Sequence, residues 1–188
     1  MLNKDISILE IKKELENKGD FIQIDYLTKL LNQKVSQQVR RFIHEKLEEI
    51  YEKKTMYIDA AKICNNLAIE SIAFSEKRRY HLKEAGLYIL AGKFNETDEA
   101  MKKAMREANA SEKIEIFITI KEFYKRHAKL LETKRKKNSA LKIYEKLLKM
   151  NLSDREKKEI QEKILELYEN LGKIREYMAL KRLKNQNL

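Results

Sequence analysis

The sequence predicts an all-α fold, an α-solenoid in which antiparallel helix pairs follow one another along the chain. Three observations lead there. The 188 residues contain no proline and four glycines, so the chain has little with which to build hairpin-rich β structure. Charged residues make up 38% and apolar residues 43%, the balance of amphipathic helices with strongly solvated outer faces. Most telling, similar residues return at fixed levels. Tyr51, Tyr88, Leu131 and Tyr168 are separated by 37, 43 and 37 residues. Ala60, Thr97, Ala140 and Tyr177 follow nine residues later, and then come Cys64, Met101 and Tyr144, and Leu67, Ala104 and Leu147. A two-helix unit recurring at such a period cannot bury its apolar face alone and does so by stacking on its neighbours.

In chain order, residues 5–17 and 21–33 read as a short N-terminal pair divided near Gly19 and Asp20. Ser36, Ser75, Ser111 and Ser153 each stand before a charged amphipathic stretch and are read as N-caps of four first helices. Second helices are expected over 56–71, 96–110, 138–150 and 173–184. The domain reading is residues 1–35 as an N-terminal pair or cap and 36–188 as the array, with units near 41–74, 75–110, 111–152 and 153–188.

The segment His81-Leu82-Lys83-Glu84-Ala85-Gly86-Leu87-Tyr88-Ile89-Leu90-Ala91-Gly92-Lys93-Phe94, running into Ala100 and Ala104, resembles a tetratricopeptide repeat in its order of small residue, tyrosine, glycine, aromatic and alanines. Tyr57–Ala61, Ser139–Leu147 and Leu165–Ile174 resemble parts of the same repeat. The units here are longer than that family's and lack its closing proline, which leaves open a resemblance to a neighbouring class, the longer helical hairpins of soluble attachment proteins and proteasome-lid subunits. The resemblance implies a TPR-like right-handed superhelix whose first helices line a concave, partner-binding face. On that face it places Phe42, Glu45 and Glu49, then Arg79, Leu82 and Ile89, then Lys125 and Lys129, then Glu162 and Glu166. From these we expect a partner-binding seat at Arg79, Leu82, Ile89, Lys125 and Lys129 for an acidic or amphipathic segment of another protein. The carboxylate clamp of chaperone-binding members is not reproduced, because Glu45 and Glu49 stand where cations or amides are needed.

Chemistry-bearing residues are read as packing. His44 and His81 fall at one level of successive units, Cys64 shares the level of Met101 and Tyr144, and His127 lies one turn after Tyr124. No metal-ligand spacing is present, and Gly86 and Gly92 make no phosphate loop, so no catalytic residue, metal or cofactor is expected. A small-molecule ligand is not expected either. The single cysteine fits a reducing compartment. Nothing resembles a signal peptide or a membrane span, and a cytoplasmic protein without membrane association is expected. On those grounds the glycosylation patterns at Asn95 and Asn151 are read as chance.

The net charge of +11 is uneven. Residues 1–120 carry 21 basic and 20 acidic side chains, 121–150 carry 11 and 3, 151–172 carry 4 and 6, and 173–188 carry 5 and 1. Lys134, Arg135, Lys136 and Lys137, with Lys181, Arg182 and Lys184, are therefore candidates for an anionic surface. RNA or ribosome association through these patches is the alternative to a protein-binding scaffold, and a structural subunit of a larger assembly is another.

Overall fold

The computed structural model describes residues 6–186, with side chains to 184; Asp5, the expected start of the first helix, lies outside them. Among the described residues there are ten α-helices and no strand: α1 (Ile8–Leu15), α2 (Asp20–Leu31), α3 (Gln37–Lys53), α4 (Tyr57–Glu70), α5 (Phe74–Leu90), α6 (Phe94–Arg106), α7 (Ala110–Thr133), α8 (Lys137–Leu148), α9 (Asp154–Asn170) and α10 (Ile174–Gln186).

Ser36 and Ser153 cap α3 and α9 as expected, each accepting a backbone N–H from the first turn. Ser7 does the same for α1, in a reciprocal box with Glu10. Two expected caps are corrected. Helix α5 starts ahead of Ser75, with Ala73 at the cap and no side-chain bond there. Helix α7 starts ahead of Ser111, because Asn109 reaches its first turn sooner: the Glu112 N–H donates to Asn109 Oδ1 at 3.0 Å, and the Asn109 N–H donates to the Glu112 carboxylate at 2.8 Å.

The recurring levels are recurring turns. Thr55, Gly92, Arg135 and Gly172 all have positive φ, at 58°, 70°, 56° and 68°. At each, the next residue's N–H donates back to the carbonyl five residues earlier: Met56 to Tyr51, Lys93 to Tyr88, Lys136 to Leu131 and Lys173 to Tyr168, over 2.8 to 2.9 Å. The positive-φ residue itself donates to Glu52, Ile89, Glu132 or Glu169. These are four Schellman motifs, and Met56, Lys93 and Lys136, which close the first three, serve at once as N-caps of α4, α6 and α8. Positive φ suits Gly92 and Gly172 and costs Thr55 and Arg135 backbone strain.

The chain divides into two compact units, one reaching to Ile116 and one from Phe117 on, so that the division falls inside α7. In the first unit α2 packs on α3, α3 on α4, α4 on α5 and α5 on α6. Its core runs from Ile11, Leu27 and Ile43 to Leu67 and Tyr80, with a second cluster of Ala60, Ala61, Cys64 and Leu87. Ala60 and Thr97 are fully buried, and the Thr97 hydroxyl donates to the Lys93 carbonyl at 2.9 Å. In the second unit α9 packs against both α8 and α10, around Tyr124, Leu141, Leu147 and Ile164.

Ion pairs between successive first helices repeat as the turns do. Arg41 of α3 pairs with Glu76 of α5, Arg78 of α5 with Glu112 of α7, and Lys121 of α7 with Glu156 of α9. Each cation stands fourteen residues before its own positive-φ turn residue, and each acid is the third residue of the following helix. A carboxylate there meets both a neighbour's cation and its own helix's N-terminal dipole. A second staple recurs with it: Lys83 pairs with Glu52 at 3.0 Å and Lys163 with Glu132 at 3.7 Å.

Candidate partner-binding surfaces

In the second unit, α7, α8 and α9 enclose an open trough of about 570 Å³. Lys125 and Lys129 line it from α7, Tyr144 from α8, and Glu159, Ile160, Glu162, Lys163 and Glu166 from α9, with Glu122 at the rim. Lys125 and Glu162 stand ten residues before their turn residues, and Lys129 and Glu166 six before.

The trough is not simply basic. Lys125 Nζ lies 2.8 Å from Glu156 and 3.0 Å from Glu122. Burial disfavours its charge, but those two bonds outweigh it and raise its pKa. Glu156, bonded to Lys121, then Lys125, then the Ser153 backbone, is held well below the usual carboxylate range. Lys163 is shared between Glu132 and Glu166. The Tyr144 hydroxyl donates to Glu132, and its pKa is raised by burial first and by that carboxylate second. Lys129 is exposed, and among the described residues no ion pair is recorded for it. The surface thus carries alternating charge of both signs around Tyr144 and Ile160, most of it already engaged.

The predicted residues of the first unit fare differently. Ile89 is 1% exposed and belongs to the core, so it cannot seat a partner. Its level was misassigned: six residues before the turn residue α5 carries the half-buried Gly86, while Ile89 stands three before. Leu82, at the level of Lys125, is half-buried. Arg79 is exposed, 3.6 Å from Glu76, with its guanidinium 4.9 Å from the centre of the Tyr80 ring. Arg79, Leu82 and Ile89 lie in the first unit and Lys125 and Lys129 in the second.

His44 and His81 are both buried, at the level where α7 has the fully buried Tyr124. His44 Nδ1 lies 3.0 Å from Glu70. His81 Nδ1 lies 2.9 Å from Glu84, a carboxylate 2% exposed, whose other oxygen meets Lys103 at 3.0 Å; Lys103 also donates to Asn65 at 2.8 Å. The sequence reading missed this buried network. It also missed the Arg41, Arg78 and Lys121 series, whose signal was cation and acid 35, 34 and 35 residues apart. His127 is half-buried, its pKa lowered by burial and then by Lys134. Burial also pushes the Cys64 thiol up to about 12.

The two basic patches lie on different elements. Lys134, Arg135 and Lys136 are exposed at the α7–α8 turn, and Lys137 donates to Asn170 at the end of α9. Lys184 is half-buried and pairs with Glu162, eight residues back along α9, so the patches meet that helix at levels about 12 Å apart. Lys181 covers the Tyr177 ring and Arg182 is exposed.

No group of three or more potential metal ligands occurs among the described residues, and no described helix is long and apolar enough to cross a membrane. Comparison with known proteins finds no matching family model, no matching curated protein and no matching solved structure.

Proposed function

We propose that the chain is a non-enzymatic scaffold: a TPR-like series of helical hairpins, an α-solenoid of right-handed twist, that holds a segment of another protein in the trough of its second unit. The observation that carries the reading is that Lys125, Lys129, Glu162 and Glu166, the matching positions of two successive first helices, line one open trough. The four like-built turns and the three like-placed ion pairs support the hairpin series. A preformed groove spares ordering entropy on binding. Its mixed charge selects an amphipathic segment whose acid meets Lys129 and whose cation meets Glu159 or Glu162, with an apolar residue against Ile160 and Tyr144.

The test is a photo-crosslinking amino acid placed at Lys129 or Glu162 in the native cell, against the same group at Ser139 on the outer face of α8. One discrete adduct from both trough positions, absent from Ser139 and lost when the other trough position is charge-reversed (Glu162→Lys with the crosslinker at 129, Lys129→Glu with it at 162), is the expected result. Identical adducts from all three positions would refute the trough as a site.

A further inference from the structure

The charge of the chain divides where its fold divides. Residues 1–116 carry 21 basic and 20 acidic side chains, whereas 117–188 carry 20 and 10, so the second unit holds ten of the eleven excess charges. The trough does not account for them, because four glutamates and three lysines line it.

Eight of these ten excess charges fall within residues 121–150, which include the α7–α8 turn and α8. Lys142, Lys146 and Lys149 succeed one another at helical spacing on one side of this helix, nearly opposite Tyr144, which faces the trough. Ahead of them the turn presents Lys134, Arg135 and Lys136. Among the described residues, no ion pair is recorded for Lys134, Arg135, Lys136, Lys142 or Lys149, and all five are exposed. The single acid of α8, Glu145, is turned to α9, where it accepts the Tyr168 hydroxyl at 2.9 Å. From Lys136 to Lys149 the ridge runs about 20 Å.

We infer that this ridge binds the phosphate backbone of double-stranded nucleic acid. The occupant follows from what the ridge has and lacks. Unneutralised cations over such a length suit a ligand that presents anions at short regular intervals. A protein partner is disfavoured because the ridge lacks the apolar centre of a protein interface, and α8 has no exposed large apolar side chain. The same lack disfavours a lipid surface, which apolar insertion would anchor. Single strands are disfavoured because no aromatic residue is exposed on α8 or its turn to stack on a base; Tyr144 and Tyr168 both have their hydroxyls engaged. With lysine donors and no readout of base edges, binding is independent of sequence.

The experiment is fluorescence anisotropy with the full chain and labelled RNA and DNA duplexes of about 20 base pairs, long enough to cover the ridge. Five phosphate contacts give a slope of log affinity against log salt near −4.5, a loss of about 500-fold between 50 and 200 mM salt. The variant Lys134→Gln/Arg135→Asn/Lys136→Gln/Lys142→Gln/Lys149→Gln removes binding and flattens the slope; asparagine is chosen at 135 because it tolerates the positive φ. A control that removes the same charge elsewhere, Lys113→Gln/Arg155→Gln/Lys157→Gln/Lys158→Gln/Arg175→Gln, changes affinity by less than about threefold, and Lys142→Arg/Lys149→Arg retains binding. Thermal melts of all variants establish that the fold is kept. Equal loss in the control, tighter binding of the single strand than the duplex, or binding of phosphatidylserine vesicles without binding of duplex would each overturn the proposal. The ridge variant replaces no residue that lines the trough, so failure here leaves the scaffold reading standing.

Discussion

Replacing Glu156 by glutamine isolates the charge at one node of the repeating ion pairs. Glutamine can keep the reciprocal bond to Ser153 that starts α9, so the cap geometry survives. What is lost is the counter-charge of Lys121, at 2.7 Å and only 13% exposed, and of Lys125, at 2.8 Å and 26% exposed. Lys125 keeps Glu122, so the damage falls mainly on Lys121. Loss of one partly buried charged bond and of the favourable term at the helix N-terminus comes to about 2 kcal/mol. If the second unit melts as its own transition, that is a fall in Tm of roughly 10 °C. Because Glu156 titrates below the usual carboxylate range when folded, its contribution is complete above about pH 4.3 and is lost as pH falls through the folded value. Urea titrations followed by helical circular dichroism should therefore show the full gap between wild type and variant near about pH 7 and a closing gap toward about pH 2. Glu159→Gln, which breaks only the exposed pair with Arg155, should cost less than about 0.5 kcal/mol. A Glu156→Gln variant as stable as wild type near neutrality, or a gap that does not change with pH, would refute the reasoning.

Three further outcomes can be checked on the same preparation. Thr55→Gly should stabilise by about 0.5–1 kcal/mol and Gly92→Ala destabilise by about 1 kcal/mol, since both sites have positive φ and the obstacle at Gly92 is backbone conformation, with open space around an added Cβ; melting temperatures moving the other way would contradict the turn assignment. Lys103→Met should cost about 3 kcal/mol by leaving the Glu84 carboxylate buried beside His81 alone, and adding Glu84→Gln should restore much of it; a single-variant cost under about 1 kcal/mol in denaturant titrations would count against a buried charged network. Cys64, fully buried with its thiol pushed up to about 12, should react with a disulfide reagent only as fast as the first unit opens; fast labelling of the native protein would show an accessible thiol.

The turns were legible in the sequence because their cause is local. Tyr51, Tyr88, Leu131 and Tyr168 occupy the C3 position of a Schellman motif, and the residues nine later are each the fourth of the next helix; both levels follow from backbone hydrogen bonds within ten residues. Helix starts follow whichever side chain bonds the first turn. Ser36 and Ser153 do so at α3 and α9, Ser153 in a reciprocal box with Glu156, whereas Asn109 outcompetes Ser111 by reaching Glu112 in a reciprocal bond. The start of α5 was not written locally at all, since no side chain caps it, and its third residue Glu76 instead meets Arg41 of α3. Ile89 failed for a geometric reason: three residues along a helix turn a side chain by about 300°, and the difference between its level and that of Gly86 separates core from surface. Pairings 34 or 35 residues apart stayed hidden because 38% of the chain is charged, and any cation finds some acid at that distance.

The one irregular interval has a place in the structure. The first helices α3, α5 and α9 are each 17 residues long and α7 is 24. The division between units after Ile116 leaves Phe117–Thr133, again seventeen residues, in the second unit. The extra segment is therefore Ala110–Ile116, and it carries Glu112, the acid that Arg78 engages within the first unit. Lys121, on the later part of α7, engages Glu156 within the second. The 43-residue interval is six longer than the first because α7 is seven residues longer than α5 and α6 one shorter than α4; turn, cation and capping acid keep their places within their helices, and the division inside α7 falls where the charge balance changes from +1 to +10.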